Sequence, residues 1–375
     1  MNAFLCAVIS CWALTSTAFA FSPTIIARTW TKAASKVSLS MKEENNDDLS
    51  SFSLDRRQML GQTLSASVAL GGMSFLPMQA IAEGGGIGTN PEHPIVVIGA
   101  GGKCGKLCTE ILNAKGLYTK GVTRSGRETL DSPSKFVSYG PGDVTSYDSI
   151  KAAVQGASGV IFAASASGKK KGGEPKQVDY VGVYNTAKAC LECSVPKLVV
   201  ISAGTVTRPD SAGFKATNFF VKYVYGDKIM DYKIAGEEAM RELYAASSDK
   251  SLGYAVVRPG GLSDGPPKGS AELNLSQGDV LSSEISRTDV AEVTVAALLK
   301  GAATDFTTFE LNQNEGLNKA QGNLPDLPSE LIHTGTSSYG GLLDGLFTDQ
   351  EMQSKYPSIV NSFKGAGIEP IGNLA

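Results

Sequence analysis

The chain has 375 residues, 42% of them hydrophobic and 19% charged, the composition of a globular protein long enough to bury a large core. A net charge of −3 excludes nucleic-acid binding by general basicity, so no nucleic-acid partner is expected. Only two histidines, His93 and His333, occur and they lie far apart, which argues against a His-rich metal site; no metal is expected.

The N-terminus reads as a series of addresses. Residues 1–20, MNAFLCAVISCWALTSTAFA, form an apolar run ending in small residues at Ala18 and Ala20. That is a secretory signal peptide cleaved before Phe21, its apolar segment being short for a membrane anchor. Residues 21–53 open with FSPTIIARTWTKAASKVSLS, rich in Ser and Thr and free of acid, which is transit-peptide composition. The junction Ala18-Phe19-Ala20-Phe21 resembles the signal-plus-transit leaders of algae whose plastids sit inside extra membranes. In residues 54–82 come Arg56-Arg57, a mildly apolar stretch and Ala80-Ile81-Ala82 before Glu83. This order resembles a twin-arginine signal for the thylakoid lumen. The competing reading, a retained linker, leaves the protein in the plastid stroma. Removal of residues 1–82 leaves 28 basic residues against 32 acidic ones.

From Pro94 the chain alternates strands and helices. Strands are expected at 94–99, 118–123, 135–140, 158–164, 197–202, 253–259 and 306–311, several of them continuous Val/Ile-rich runs suited to burial on both faces. Helical patterns lie at 103–115, 147–155, 177–193, 217–246 and 287–300. The alternation implies an α/β fold with a doubly wound parallel sheet, one main domain over residues 83–314 and a C-terminal extension over 315–375. Cys104 and Cys108 open one helix and Cys190 and Cys193 close another, placing the pairs at opposite edges of the sheet; buried packing fits them better than zinc.

VVIGAGGKCGKLC, residues 96–108, breaks from strand to helix at a glycine cluster. Gly-x-Gly-x-x-Gly fails at Cys104, whereas Gly99-x-x-Gly102-x-x-Gly105 fits. Between a strand and a helix, such a loop lets backbone N–H groups approach a pyrophosphate. The candidate nucleotide residues here are Gly99, Ala100, Gly101, Gly102, Lys103, Cys104 and Gly105. A carboxylate at the end of the second strand would select NAD(H); this chain has Arg124 there and no acid until Glu128. Arg124, assisted by Lys103, suits a 2′-phosphate, so NADP(H) is expected over NAD(H).

Together these features resemble an atypical short-chain dehydrogenase/reductase of the NAD(P)H-binding branch found in plastids, with the NAD(P)-binding Rossmann fold. The resemblance runs through residues 94–313: the glycine loop, Asp143-Val144 after the third strand, Ala163-Ala164-Ser165 after the fourth, VDYVGVYNTAKAC (178–190), VVISAG (199–204), VVRPGGL (256–262) and ISRTDVAEV (285–293). It implies that Asp143 and Val144 border the adenine and that Ala163, Ala164 and Pro259 line the cofactor cleft.

Reductases of this superfamily carry Ser and Tyr-x-x-x-Lys on the helix after the fifth strand, Tyr as general acid and Lys on the nicotinamide ribose. A Tyr-x-x-x-Lys, Tyr184 to Lys188, precedes that strand and is a decoy by position. After it, Tyr223, Tyr225, Lys228, Tyr232 and Lys233 lack the spacing. Lys233 and Glu237 match a Lys-x-x-x-Glu that atypical members carry, either a helix-surface ion pair or a placement of Lys233 at the ribose. Ser202 ends its strand where it would polarise a substrate carbonyl. Lys169 to Lys171, in GKKKGG, are solvated or attract an acidic group at the mouth of the site. Beyond residue 315, Thr348-Asp-Gln-Glu351 is a capping box for a short helix that caps the cleft or serves a partner.

Two functions follow. One is an NADP(H)-dependent reductase of a small plastid metabolite, with Ser202 and Lys233 catalytic. The other is a nucleotide-binding scaffold, or redox-sensing assembly factor, for photosynthetic complexes at the thylakoid.

Overall fold

The computed structural model describes residues 86–166, 173–225 and 228–371, with side chains at 220–225 excepted. The addresses over residues 1–82 and the Lys169–Lys171 run lie outside the described residues, as do the side chains of Tyr223 and Tyr225.

Thirteen strands are described: Ile95–Ile98 (β1), Thr119–Thr123 (β2), Val137–Pro141 (β3), Gly159–Phe162 (β4), Lys197–Ile201 (β5), Gly253–Pro259 (β6), Gly261–Ser263 (β7), Leu273–Ser276 (β8), Leu281–Ser282 (β9), Glu284–Ser286 (β10), Thr307–Gln313 (β11), Asn318–Lys319 (β12) and Ile332–Thr334 (β13). Nine of them form one sheet in the order β13-β8-β11-β6-β5-β4-β1-β2-β3. From β3 to β11 every pairing is parallel, and the order reverses between β1 and β4. Ligands of open α/β sheets bind beyond the carboxyl ends of the strands at such a reversal.

The seven expected strands are all present, and β1 (Ile-Val-Val-Ile) and β5 are buried at every position, as strands covered on both faces must be. The helices are Lys103–Ala114 (α1), Tyr147–Val154 (α2), Gly182–Glu192 (α3), Ala212–Tyr225 (α4), Ile229–Ala246 (α5), Arg287–Leu299 (α6) and Asp349–Lys355 (α7). One face of the sheet packs Leu112 of α1 and Val290, Val293 and Leu298 of α6 onto Val97 and Val199. The other packs Ile150 of α2, Val183 and Ala187 of α3 and Met240 and Tyr244 of α5 onto Val96, Val160 and Val200. The molecule is therefore a doubly wound, mostly parallel sheet, a Rossmann-like fold in one main domain with a C-terminal extension.

One addition and three corrections follow. Two strands outside the seven expected join the sheet at its β11 edge, β8 pairing antiparallel with β11 and β13 antiparallel with β8. Their short polar-apolar mixtures, Leu-Asn-Leu-Ser and Ile-His-Thr, carry little strand signal of their own. The helix expected over 217–246 is two, α4 and α5, and glycine stands between them in sequence at Gly226. The helix expected from residue 177 begins as a π-helical turn, Lys176–Val181, before α3. Finally, the cysteine pairs lie on opposite faces rather than edges, Cys108 in one core and Cys190 in the other, and all four thiols are free.

The extension is woven into the domain. β13 adds to the main sheet, and Leu342 and Leu343 enter the core with α1 and α6. Helix α7 has the expected capping box: Thr348 Oγ1 accepts from the Glu351 N–H at 3.2 Å, and Glu351 Oε2 accepts from the Thr348 N–H at 2.9 Å.

Candidate active site

Three glycines of the loop do different work. Gly99 has φ +83°, and a Cβ there would lie 2.7 Å from the Ala164 nitrogen at the end of β4. A Cβ on Gly105 would lie 2.2 Å from the Gly99 carbonyl oxygen, so glycine is what lets α1 close on the strand-to-helix turn. Both are demanded by the fold. Gly102 is the N-cap of α1, carries no side-chain cap, and has no acid in the turn after it. The first-turn N–H groups are left for an anion, with the positive end of the helix behind them. Ala100 is fully buried, and its N–H, like that of Gly99, donates to the Val122 carbonyl at the end of β2. A Cβ on Gly101 would meet Thr123 Cγ2 only at 3.5 Å, ordinary contact, so this side of the loop has room. The cradle fits a dinucleotide pyrophosphate.

Arg124 leaves the end of β2 beside this loop, exposed and without an ion-pair partner among the described residues. Lys103 is engaged elsewhere: its ammonium meets Asp264 at 2.5 Å, and Arg287 holds the same carboxylate at 2.6 Å. The pair is exposed and screened by solvent, so an entering phosphate can exchange with it. After β3, Asp143 caps its own turn, Oδ1 accepting from the Thr145 N–H and hydroxyl, while Val144 is buried against Gly182 and α3. The Ala163 N–H donates to the Ile98 carbonyl, and the Pro259 carbonyl accepts from the Gly204 N–H, so both residues are held at the strand ends that border the cleft.

Lys233 and Glu237, one turn apart on α5, are not partners. The Lys233 ammonium, on a side chain 12% exposed, meets Asp179 Oδ1 at 2.8 Å. Asp179 is 1% exposed and also accepts from the Ser165 hydroxyl at 2.7 Å and the Ala166 N–H at 2.9 Å. The π-helical turn carries this carboxylate to the end of β4, an irregularity frequent at functional sites. Burial pushes the half-buried Cys104 thiol of the glycine loop up, while the charges of Arg287 and Lys233 pull it down. Lys233 is therefore within electrostatic reach of the loop. Asp179 was not foreseen, although an acid set among apolar residues at a helix start, Val178-Asp179-Tyr180-Val181, was a usable signal.

Ser202 is buried and turned inward, its hydroxyl donating to Glu237 Oε1 at 2.5 Å. Glu237 is clasped by Arg258 at 2.6 Å and Arg241 at 3.0 Å, and Arg258 also reaches Glu310 at 3.3 Å. Burial alone would raise the Glu237 carboxyl, but Arg258 and Arg241 overcome it and hold it at about 2. The hydroxyl hydrogen expected at a substrate carbonyl is thus donated to a buried, ionised carboxylate. Tyr184 and Lys188 lie on α3, and the Lys188 ammonium stands 4.7 Å from the centre of the Tyr147 ring, on α2.

A family model described as NAD(P)H-binding matches residues 99–300, more than half of the chain. The chain belongs to that NAD(P)H-binding family. A nicotinamide dinucleotide is accordingly its cofactor. Two uncharacterised chloroplastic proteins of Arabidopsis thaliana are similar. At2g37660 is 25% identical over 236 residues, 56% of this chain and 66% of its own length. At2g34460 is 28% identical over 215 residues, 55% of this chain and 72% of its own length. This chain thus spans about two thirds of the length of these relatives. Among solved structures, the oxidoreductase ylbE from Lactococcus lactis superposes with a TM-score of 0.46 at 19% identity, covering 59% of this chain and 90% of that one.

Proposed function

We propose that this family member is an NADP(H)-dependent reductase of a small plastid metabolite, a carbonyl or conjugated alkene. The observation that carries the reading is the Lys233–Asp179 pair, buried at the end of β4 with Ser165 and within electrostatic reach of the glycine loop. When bound, the cofactor supplies a hydride. The first turn of α1 holds the pyrophosphate and Arg124 the 2′-phosphate. Asp179 fixes Lys233; the ammonium, with donors to spare beyond that bond, grips the nicotinamide ribose and steadies negative charge growing on a substrate oxygen. Ser202, its hydroxyl donating to Glu237, acts by anchoring α5 to the end of β5, in place of the carbonyl-polarising role its sequence position suggested.

The test is a single-turnover measurement of NADPH absorbance against a panel of small carbonyls and alkenes. Lys233→Met should cut turnover by ~10²-fold, typical of losing one positioned donor, whereas Tyr184→Phe should not. Turnover surviving Lys233→Met would overturn the assignment. One observation favours the scaffold reading: Tyr147–Lys151 on α2 and Tyr184–Lys188 on α3 both have the Tyr-x-x-x-Lys spacing but precede β5, and no such spacing follows β5 in the sequence. On that reading no member of the panel oxidises NADPH, and only changes in the glycine loop have a phenotype.

The leader sequence and the chloroplastic relatives support a plastid address, and Arg56-Arg57 with Ala80-Ile81-Ala82 supports the thylakoid lumen. N-terminal sequencing of the native protein should find a start near Glu83. A start between residues 21 and 50 would leave the protein in the stroma.

A further inference from the structure

Between α5, β6, β11 and the C-terminal extension lies a cavity of about 390 Å³. Glu238, Arg241, Arg258, Glu310 and Asp349 form its charged wall, and Met352, Val360 and Phe363 of the extension form an apolar wall. None of the residues assigned to the nucleotide lines it.

The two guanidiniums are already engaged. Arg241 donates to Asp349 at 2.8 Å, Glu238 at 2.8 Å, Glu237 at 3.0 Å and Thr308 at 2.7 Å. Arg258 is held by Glu237 and Glu310. An incoming anion would have to displace one of these internal carboxylates. Acceptors, by contrast, are in surplus. Glu237, Glu238, Glu310 and Asp349 face Arg241, Arg258 and, from the rim, the exposed Lys364, which meets Glu238 at 3.1 Å. Behind the floor, the charge of Arg208 acts on Asp279 and, less strongly, on Glu310, so five carboxylates meet four cations. One positive charge is missing. The Asp349 carboxylate shows where: Oδ2 accepts from Arg241, Tyr254 and Thr308, while Oδ1 has no partner among the described residues and the side chain is 22% exposed.

We propose that this cavity binds a small organic cation, an ammonium or amidinium on an apolar body, with the charge at Asp349 Oδ1 and the body against Met352, Val360 and Phe363. The same deficit is visible at Glu310, whose carboxyl is pushed up to about 7 by burial and then by Asp279, with Arg258 only partly opposing them. A proton there answers the surplus negative charge when no cation does.

Calorimetry on the full chain tests this with four probes of one shape: benzylamine, benzamidine, benzyl alcohol and benzoate. The two cations should bind saturably in the millimolar range, as expected for fragments of this size, and the alcohol and benzoate roughly tenfold more weakly or not at all. Saturating NADPH should leave benzylamine binding unchanged, and Asp349→Asn should weaken it roughly tenfold. Should Asp349→Asn fail to fold, Val360→Trp, which fills the cavity from its half-buried extension wall, should abolish it. Any of four results would overturn the proposal: no saturable benzylamine binding, equal affinity for the alcohol, preference for benzoate, or competition by NADPH.

Discussion

The nucleotide loop and the charged region beneath the extension solve opposite problems with opposite materials. In the loop the working groups are backbone. Gly99 and Gly105 remove side chains so that β1, β4 and α1 can meet, and the N–H groups of the first turn of α1 remain for a phosphate. Beneath the extension the working groups are side chains. Ser202, Glu237, Arg241, Arg258, Glu310 and Asp349 come from five segments of the chain (the end of β5, α5, β6, β11 and α7) and meet only in the folded state. A backbone site is built from consecutive residues and tolerates no added atoms. A side-chain network is built from distant residues and tolerates no missing charge.

The largest effect is expected from taking one charge out of the network. Glu237→Gln leaves Arg258 and Arg241 without their shared partner and should cost about 3–5 kcal/mol, the usual penalty for breaking a buried pair from one side. The pH dependence sharpens the point. Glu237, held at about 2 against an ordinary 4.5, contributes stability that is present above pH 4.5 and lost as pH falls toward 2. Glu310, raised to about 7, behaves in reverse: its contribution is full below pH 4.5 and is lost as pH rises through 7. Urea unfolding followed from pH 2 to pH 8 should therefore show an acid limb that Glu237→Gln removes and a decline toward neutrality that Glu310→Gln removes. If both variants keep the wild-type profile, the two carboxylates are not opposed in this way.

The same contrast explains what could be read from the chain beforehand. Strand-helix alternation and the glycine spacing are local, so β1, α1 and the loop were legible to within a residue or two. The capping box of α7 was legible for the same reason. β8 and β13 were not, because two short, mixed segments become strands only by pairing with β11 and with each other. Nor was the buried network: Lys233 and Glu237 have the spacing of a helix ion pair, yet tertiary partners, Asp179 for one and Arg258 for the other, outbid the neighbour one turn away. Arg258, a lone cation in the apolar run Val256-Val257-Arg258-Pro259, was the one sequence sign that a buried carboxylate waited opposite.

Within the loop, the comparison predicts that position matters more than residue type. Gly105→Ala puts a Cβ 2.2 Å from a backbone oxygen that no side-chain rotation can relieve, and should cost about 3 kcal/mol by overpacking. Gly101→Ala meets only Thr123 Cγ2 at 3.5 Å and should leave stability nearly unchanged. Thermal unfolding of the two variants decides the matter. Equal losses would mean that the loop as a whole, rather than the contact of Gly105 with Gly99, sets the packing of α1 on β1.

The smallest expected effect concerns the one side chain of the cleft asked to discriminate. Arg124 is exposed and without an ion-pair partner among the described residues, so its removal costs the fold little. It also leaves no internal charge behind, unlike Glu237. What it should cost is the distinction between two cofactors that differ by one phosphate. A charge-assisted hydrogen bond is worth about 1.5–3 kcal/mol, so NADPH should bind more tightly than NADH by that margin in the wild type. Arg124→Ala should erase most of the gap by weakening NADPH alone, with NADH affinity and thermal stability unchanged. Lys103, already paired with Asp264, should recover only part of it. Titration of the wild type with both nucleotides is the decisive measurement: equal affinities would show that a cation at the end of β2 does not read the 2′-phosphate here, and that this cleft recognises its cofactor through backbone alone.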